Sequence, residues 1–260
     1  MTGEDAAFLA ELPEWGFAFV LVLCRVGCAV MLVPGLGEAE IPPMVRAGLV
    51  LAIAVLVLPG VRTLMPAVPD GFTAASGMVV AEIVTGLWLG WLARLIVQAL
   101  PLTGQFISYM LGLSNVLQPD AELGSQATAL GRMLALAVPV LVLATGLYIP
   151  VLGALDGSYR LIAPGTLLPA GDAAQTGLAA VTQAFALALR LSAPFVVGSV
   201  VWQLATGLLA RLVPRLQVYF VAMPAQILGG LALLSMLMPV LLATWQEAVR
   251  AAYAMLPGAQ

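Results

Sequence analysis

Long apolar runs alternate with short polar or Pro/Gly-rich connections along the whole chain, a pattern that predicts helices throughout. The runs lie at about 15–33, 44–58, 75–100, 130–155, 178–209 and 218–243. A bilayer crossing takes roughly 20 apolar residues, so the second run is short and fits a re-entrant segment or one paired with the first. The fold expected is an all-α integral membrane protein of about six long apolar helices, with no soluble domain inserted between them.

The stretch from Pro101 to Asp120 carries two faces at helical spacing. Phe106, Met110, Leu113 and Leu117 form an apolar stripe, while Gly104, Ser108, Gly112 and Asn115 form a small or polar one. Small residues every fourth position let a second backbone come close. A polar stripe must meet protein or water, because lipid cannot satisfy it. Two readings stay open here: a tightly packed core helix, or an element that faces water or a pore. Pro119 is expected to stop this helix.

The connections carry their own signals. Pro34-Gly35 marks a turn, and Pro42-Pro43 suit the first turn of a helix that Arg46 enters. Glu38 and Glu40 precede that helix start, where a local structural role fits them. Residues 121–129 read as a loop or a frayed helix start, which Asp120 and Glu122 could cap. Pro139 and Pro150 break the run at 130–155. Pro164-Gly165 and residues 167–177 form the one clear linker, dividing the chain into 1–177 and 178–260. The last two runs, joined across 210–219, should pack as an antiparallel hairpin. Arg211 and Arg215 make its loop the most positive segment, hence cytoplasmic, and six spans would put both termini outside.

Composition sharpens the class. Hydrophobic residues make up 62% and charged residues 9%, with mean hydropathy +1.06, against roughly 25% charged residues in a soluble domain. Residues 1–14 hold Glu4, Asp5, Glu11 and Glu14 and no basic residue, so the n-region of a secretory signal is missing and 15–33 reads as a retained helix. Histidine and lysine are absent. That removes His-based metal sites, Ser-His and Cys-His nucleophiles, Schiff bases and a P-loop lysine. Cys24 and Cys28 lie one turn apart in an apolar run and read as packing residues. No catalytic residue, cofactor or metal site is expected.

The charges inside the apolar runs are Arg25, Glu82, Arg94, Arg132 and Arg190. Each is costly in lipid and must face protein, water or an opposite charge. Four are arginines, which do not release a proton, so structural pairing is favoured over a proton path.

Short pieces in a fixed order carry a family resemblance. They are Arg25 followed by Pro34-Gly35-Leu36-Gly37, Ile41-Pro42 and Arg46; Gly104-Gln105 leading to Gly112-Leu113-Ser114; Gly153 to Tyr159 with Pro164-Gly165; Ala193-Pro194; and Arg211 to Val218 around Pro214. Together they resemble the FliR family of flagellar export-gate proteins and its relatives in type III secretion injectisomes. Departures are Arg215, Gln217 and Tyr219 where the family usually has Gln, Asn and Phe, Gly146-Leu147 in place of Gly-His, and Asn115 to Gln118 where some members have aromatics.

The resemblance implies a FliP-like part over 1–177, with a central pore-loop region at 104–129, fused to a FliQ-like helical hairpin over 178–260. It implies a non-enzymatic, multi-pass subunit of the flagellar type III export gate, in the bacterial inner membrane at the flagellar basal body. Unfolded flagellar proteins would cross there. Implied partners are FliP and FliQ homologues in a hetero-oligomer that one copy of this chain closes, together with FlhB and FlhA. The resemblance implies no nucleic-acid partner. Much of the apolar helix would lie above the membrane plane against those partners.

On the same basis Met110, Leu113, Asn115, Val116, Leu117 and Gln118 become pore or plug candidates, and Gly104, Ser108 and Gly112 a helix-packing stripe. Arg25, Glu82, Arg94, Arg132 and Arg190 become buried charges for subunit contacts, and Arg211, Pro214 and Arg215 the hairpin loop. Two other functions are an injectisome gate subunit of the same family and a small-molecule secondary transporter. The transporter reading rests on breaks expected near Pro101, Pro139 and Pro194. It lacks an internal repeat and enough buried ionisable residues for ion coupling.

Overall fold

The structure, a computed structural model, describes residues 3–113, 128–212 and 218–259. All regular structure among them is helical: α1 Gly3–Leu32, α2 Pro43–Val61, α3 Phe72–Val97, α4 Ala99–Met110, α5 Ala129–Ala144, α6 Tyr148–Leu161, α7 Ala170–Leu212 and α8 Val218–Tyr253. A 3-10 turn, Arg62–Leu64, extends α2. Among the described residues, five helical stretches are long and apolar enough to cross a membrane, or six if α5 and α6, bent by 72°, form one broken span.

Several expectations change at this level. The short second run becomes a 22-residue apolar stretch, Pro43–Leu64, because Pro59 sits inside α2 without ending it. The linker expected at 167–177 is mostly helix, since α7 begins at Ala170. Asp172 stands in its first turn, where the helix dipole favours a carboxylate, and alanines outweigh the cost of Gly171 and Gly177. Pro139 and Pro194 lie inside α5 and α7. The break after α5 falls instead at Gly146, whose φ of 70° suits glycine. Pro101 sits in the first turn of α4, where no intrahelical N–H is required. The discontinuities at Pro139 and Pro194 that supported a transporter are therefore absent from the described helices.

The connection after α1 follows its sequence signals: Gly35 takes φ 85° in the turn after Pro34, and Pro43 opens α2 behind Pro42. Glu38 accepts a hydrogen bond from the Gly35 N–H at 3.3 Å.

The chain forms two compact units. The first comprises Met1–Leu95, Pro139–Ala180 and Ala251–Gln260. Its core joins Val22, Val26, Ala29 and Val30 of α1 to Val50, Ala54 and Val61 from α2, Leu89 from α3, and Leu155 and Tyr159 from α6. The α1 positions recur at i, i+4, i+7 and i+8, one stripe of the helix. Gly86 and Gly90 bring α3 against α1. A Cβ at Gly86 would run into the Arg25 carbonyl, and one at Gly90 would lie 2.6 Å from the Ala29 carbonyl oxygen.

The second unit comprises Ile96–Val138 and Val181–Arg250. It buries Leu100, Ile107 and Leu111 on the α4 side, Leu130, Leu134 and Val138 on α5, and Ala184, Ala188, Leu191 and Phe195 on α7. Outside these stripes, large apolar side chains such as Val197, Leu204, Leu228 and Met236 stay exposed in the free chain.

Candidate functional site

The end of α4 and its supports are the first candidate. Gly104 is buried where α4 meets α5: a Cβ there would lie 2.9 Å from the Gly131 Cα and 3.0 Å from the Leu130 carbonyl oxygen. This is the close backbone approach that small residues permit. Thr103, one residue earlier, gives its hydroxyl to the Ala99 carbonyl at 2.7 Å and lies 3.5 Å from the Ala188 carbonyl of α7. Ser108 is fully buried, and its Oγ has no hydrogen-bond partner among the described residues.

Gly112 does not continue the stripe. It takes φ 72°, while the Leu111 N–H returns to the Ile107 carbonyl at 2.9 Å and the Gly112 N–H to Tyr109 at 3.3 Å. Gly112 thus terminates α4 in a left-handed conformation. The stop expected at Pro119 comes earlier, because a glycine that can reverse the chain is met first.

Met110 is held on two sides. Its carbonyl accepts from Gln226 Nε2 of α8 at 2.9 Å, and its sulfur lies 3.3 Å from the Ser199 hydroxyl of α7, which donates to the Val196 carbonyl at 2.9 Å. Leu111 fills the space that a side chain at Gly230 would take. Beside them is a cavity of about 280 Å3 lined by Met110, Phe195, Trp202 and Gln226 among others. Leu113 is half-buried. Asn115, Val116, Leu117 and Gln118, with the capping candidates Asp120 and Glu122, lie outside the described residues.

The second candidate is a buried charge cluster in the first unit. Arg25 and Glu82 are both wholly buried. Arg25 donates from Nε to Glu82 Oε2 at 2.7 Å and from Nη2 to Oε1 at 2.9 Å. Its Nη1 reaches the Ser158 hydroxyl at 3.2 Å, and both terminal nitrogens reach the Ile162 carbonyl at 3.2–3.3 Å. The guanidinium also lies 4.1 Å from the Tyr159 ring centre. Planar bidentate pairing plus stacking is the geometry arginine suits and lysine does not. The pairing is structural, as favoured over a proton path, and lies within the chain rather than across subunits as the resemblance implies; neither side chain reaches the surface.

The other charges of the apolar runs differ. Arg94 approaches Glu38 and the Leu32 carbonyl at 3.5 Å each. Arg132 and Arg190 are exposed, and no ion pair to either occurs among the described residues. Arg211 is exposed in the last turn of α7, while Pro214 and Arg215 lie outside the described residues. Sequence reasoning passed over Gly86 and Gly90, although their four-residue spacing was the available signal. It also passed over Ser158 and Gly165 as partners of the charges, and no spacing rule points to them.

Comparison with known proteins sets these features in a family. Residues 17–252 match the family model for bacterial export proteins, family 1. The chain belongs to the FliR family of bacterial export proteins. Flagellar biosynthetic protein FliR of Caulobacter vibrioides is 32% identical over 234 residues, covering 90% of this chain and 93% of the relative. FliR of Bacillus subtilis is 26% identical, covering 86% and 87%. Yop proteins translocation protein T of Yersinia pestis is 25% identical, covering 79% and 80%. This FliR-family chain thus aligns along most of its length with both flagellar and injectisome relatives.

Proposed function

We propose that this chain, a component of the flagellar type III export gate, is a non-enzymatic subunit that helps form and seal the channel for unfolded flagellar proteins. It sits in the inner membrane at the flagellar basal body. It assembles with FliP and FliQ homologues, and with FlhB and FlhA, one copy closing the ring. In this reading 1–177 is the FliP-like part and 178–260 the FliQ-like hairpin.

The observation that carries the reading is the fixed end of α4. Met110 is held by α8 and touches α7, and Gly112 ends the helix directly after it in a left-handed conformation. The segment that follows therefore starts from a rigid point, as a plug requires. A seal needs bulky or apolar groups packed closely enough to deny ions a hydrated path. Met110, Leu113, Val116 and Leu117 supply such groups, while Asn115 and Gln118 need apolar neighbours from other subunits.

Two experiments test this. Co-expression with FliP and FliQ homologues of the same bacterium, followed by native mass spectrometry, should give a mixed complex with a single copy of this chain. A chain that purifies stably alone and never joins them would sink the assignment. Deleting residues 115–122 should raise ion leakage with assembly intact; unchanged conductance would remove the plug role.

A further inference from the structure

Arg132 and Arg190 stand apart from the arginines that meet acids inside the chain. Arg25 pairs with Glu82, Arg62 with Glu11 and Arg94 with Glu38. Arg132 and Arg190 are exposed and have no such pair among the described residues. Both belong to the second unit, and the packing around α4 puts them at one level of it. Gly104 touches Gly131, the neighbour of Arg132. Thr103 approaches Ala188, two residues before Arg190.

Their surroundings make solvation by water a poor fit. Met133 and Leu136 flank Arg132 with 52% and 55% exposure, and Phe185 and Leu189 precede Arg190 with 50% and 56%. Arg132 is also the fourth residue of α5, at the positive end of the helix dipole, where a cation is disfavoured unless an anion faces it. The charge balance points the same way. The second unit's sequence holds five arginines and three acids, the first unit's ten acids and five arginines. The second unit is short of counter-charges for its arginines.

Lipid cannot supply the whole cover. α7 has 43 residues, about 65 Å at 1.5 Å per residue, roughly twice the hydrocarbon thickness of a bilayer. Large apolar side chains are exposed along it from Leu178 to Leu212, so about half of that surface must be covered by protein. Arg190 lies near the middle, about 30 Å from either end.

We propose that Arg132 and Arg190 mark a docking face for a neighbouring export-gate subunit that presents carboxylates within an apolar surface. The inference rests on the gate assignment and names which charges make the contact. It sets Arg132 and Arg190, which face outward, apart from the charges paired inside the chain, Arg25 with Glu82 and Arg94 with Glu38. A guanidinium closed off in an apolar interface needs a carboxylate in hydrogen-bonding geometry.

The test uses the full chain in the co-purified gate complex, with a photo-crosslinking amino acid at Met133 or at Leu189 in an otherwise native chain. Crosslinks should form to a partner subunit, at a peptide containing Asp or Glu. Arg190→Glu and Arg132→Glu should each lower recovery of the complex by about ten-fold or more. Arg190→Lys should lower it less, and a Lys at the mapped acid should restore the Arg190→Glu variant. Crosslinks to lipid alone, crosslinks to a peptide without acids, or charge reversals that assemble like the parent each overturn the docking face. A parent chain that joins no export subunit at all takes down the gate assignment and the docking face with it. Crosslinking in the parent background keeps the test valid if a reversal misfolds.

Discussion

Glu82 accepts a hydrogen bond from the backbone N–H of Gly165 at 2.7 Å, on the same oxygen that Arg25 Nη2 reaches at 2.9 Å. One buried carboxylate thus fixes an arginine of α1 and the turn that precedes α7. Gly165 takes φ 77° and abuts Met78, so the turn has little room to shift.

Breaking this pair from one side leaves a buried charge without its partner. Arg25→Ala or Glu82→Gln should each cost about 3–5 kcal/mol, read as loss of accumulated protein and a lower unfolding temperature in detergent. The double replacement Arg25→Met/Glu82→Leu should cost less than the two single changes added together, because no charge is then stranded. Additive losses would mean that the two groups act independently. A Glu82→Gln chain that assembles normally but blocks export would instead give Glu82 a direct role in transport.

The α1–α3 contact gives a second, independent prediction. Gly86→Ala and Gly90→Ala place a methyl group against the backbone of α1, which cannot move aside as a flexible side chain can. Each should destabilise the chain by about 1–3 kcal/mol. Gly77 lies on the same helix, and a methyl group added there would meet nothing within 4 Å. Gly77→Ala should therefore be neutral or stabilising by up to about 1 kcal/mol. Equal effects at all three sites in thermal unfolding would refute close packing as the cause.

Tyr253 closes the C-terminal end of the first unit. Its hydroxyl donates to the Ala93 carbonyl at 2.9 Å with the side chain wholly buried. Tyr253→Phe removes that bond while keeping the ring, and should cost about 1 kcal/mol. Tyr253→Ala also loses the packed ring and should cost about 3–5 kcal/mol. A Phe variant as damaged as the Ala variant would mean that the hydroxyl, not the ring, dominates.

Much of this arrangement was legible along the chain, at the level of elements. The apolar runs correspond to the helices, Pro34-Gly35 to a turn, and Pro42-Pro43 to the start of α2. Arg25 and Glu82 stood out because a charge in an apolar run must find a partner, but nothing local names a partner 57 residues away. Proline was a weaker signal than expected: Pro59, Pro139 and Pro194 all sit within helices whose apolar surroundings favour keeping the remaining backbone bonds. Gly112, at φ 72°, ends α4 after Met110, ahead of the proline at which the stop was expected.

That glycine carries the last prediction. Gly112 has φ 72° and open space where a Cβ would sit, so a side chain there would meet backbone strain rather than a clash. Gly112→Ala should cost about 1–2 kcal/mol, the left-handed penalty for an L-residue, and Gly112→Asn less, since Asn tolerates that region better. The strain would be relieved by fraying the last turn of α4, which holds the Ile107–Leu111 and Tyr109–Gly112 hydrogen bonds. Hydrogen exchange at Leu111 and Gly112 should therefore speed up in the Ala variant while exchange at Thr103 stays unchanged. If the end of α4 also sets where the plug begins, the same variant should leak ions through the assembled gate. Faster exchange without leakage would leave the terminator role intact and separate it from sealing.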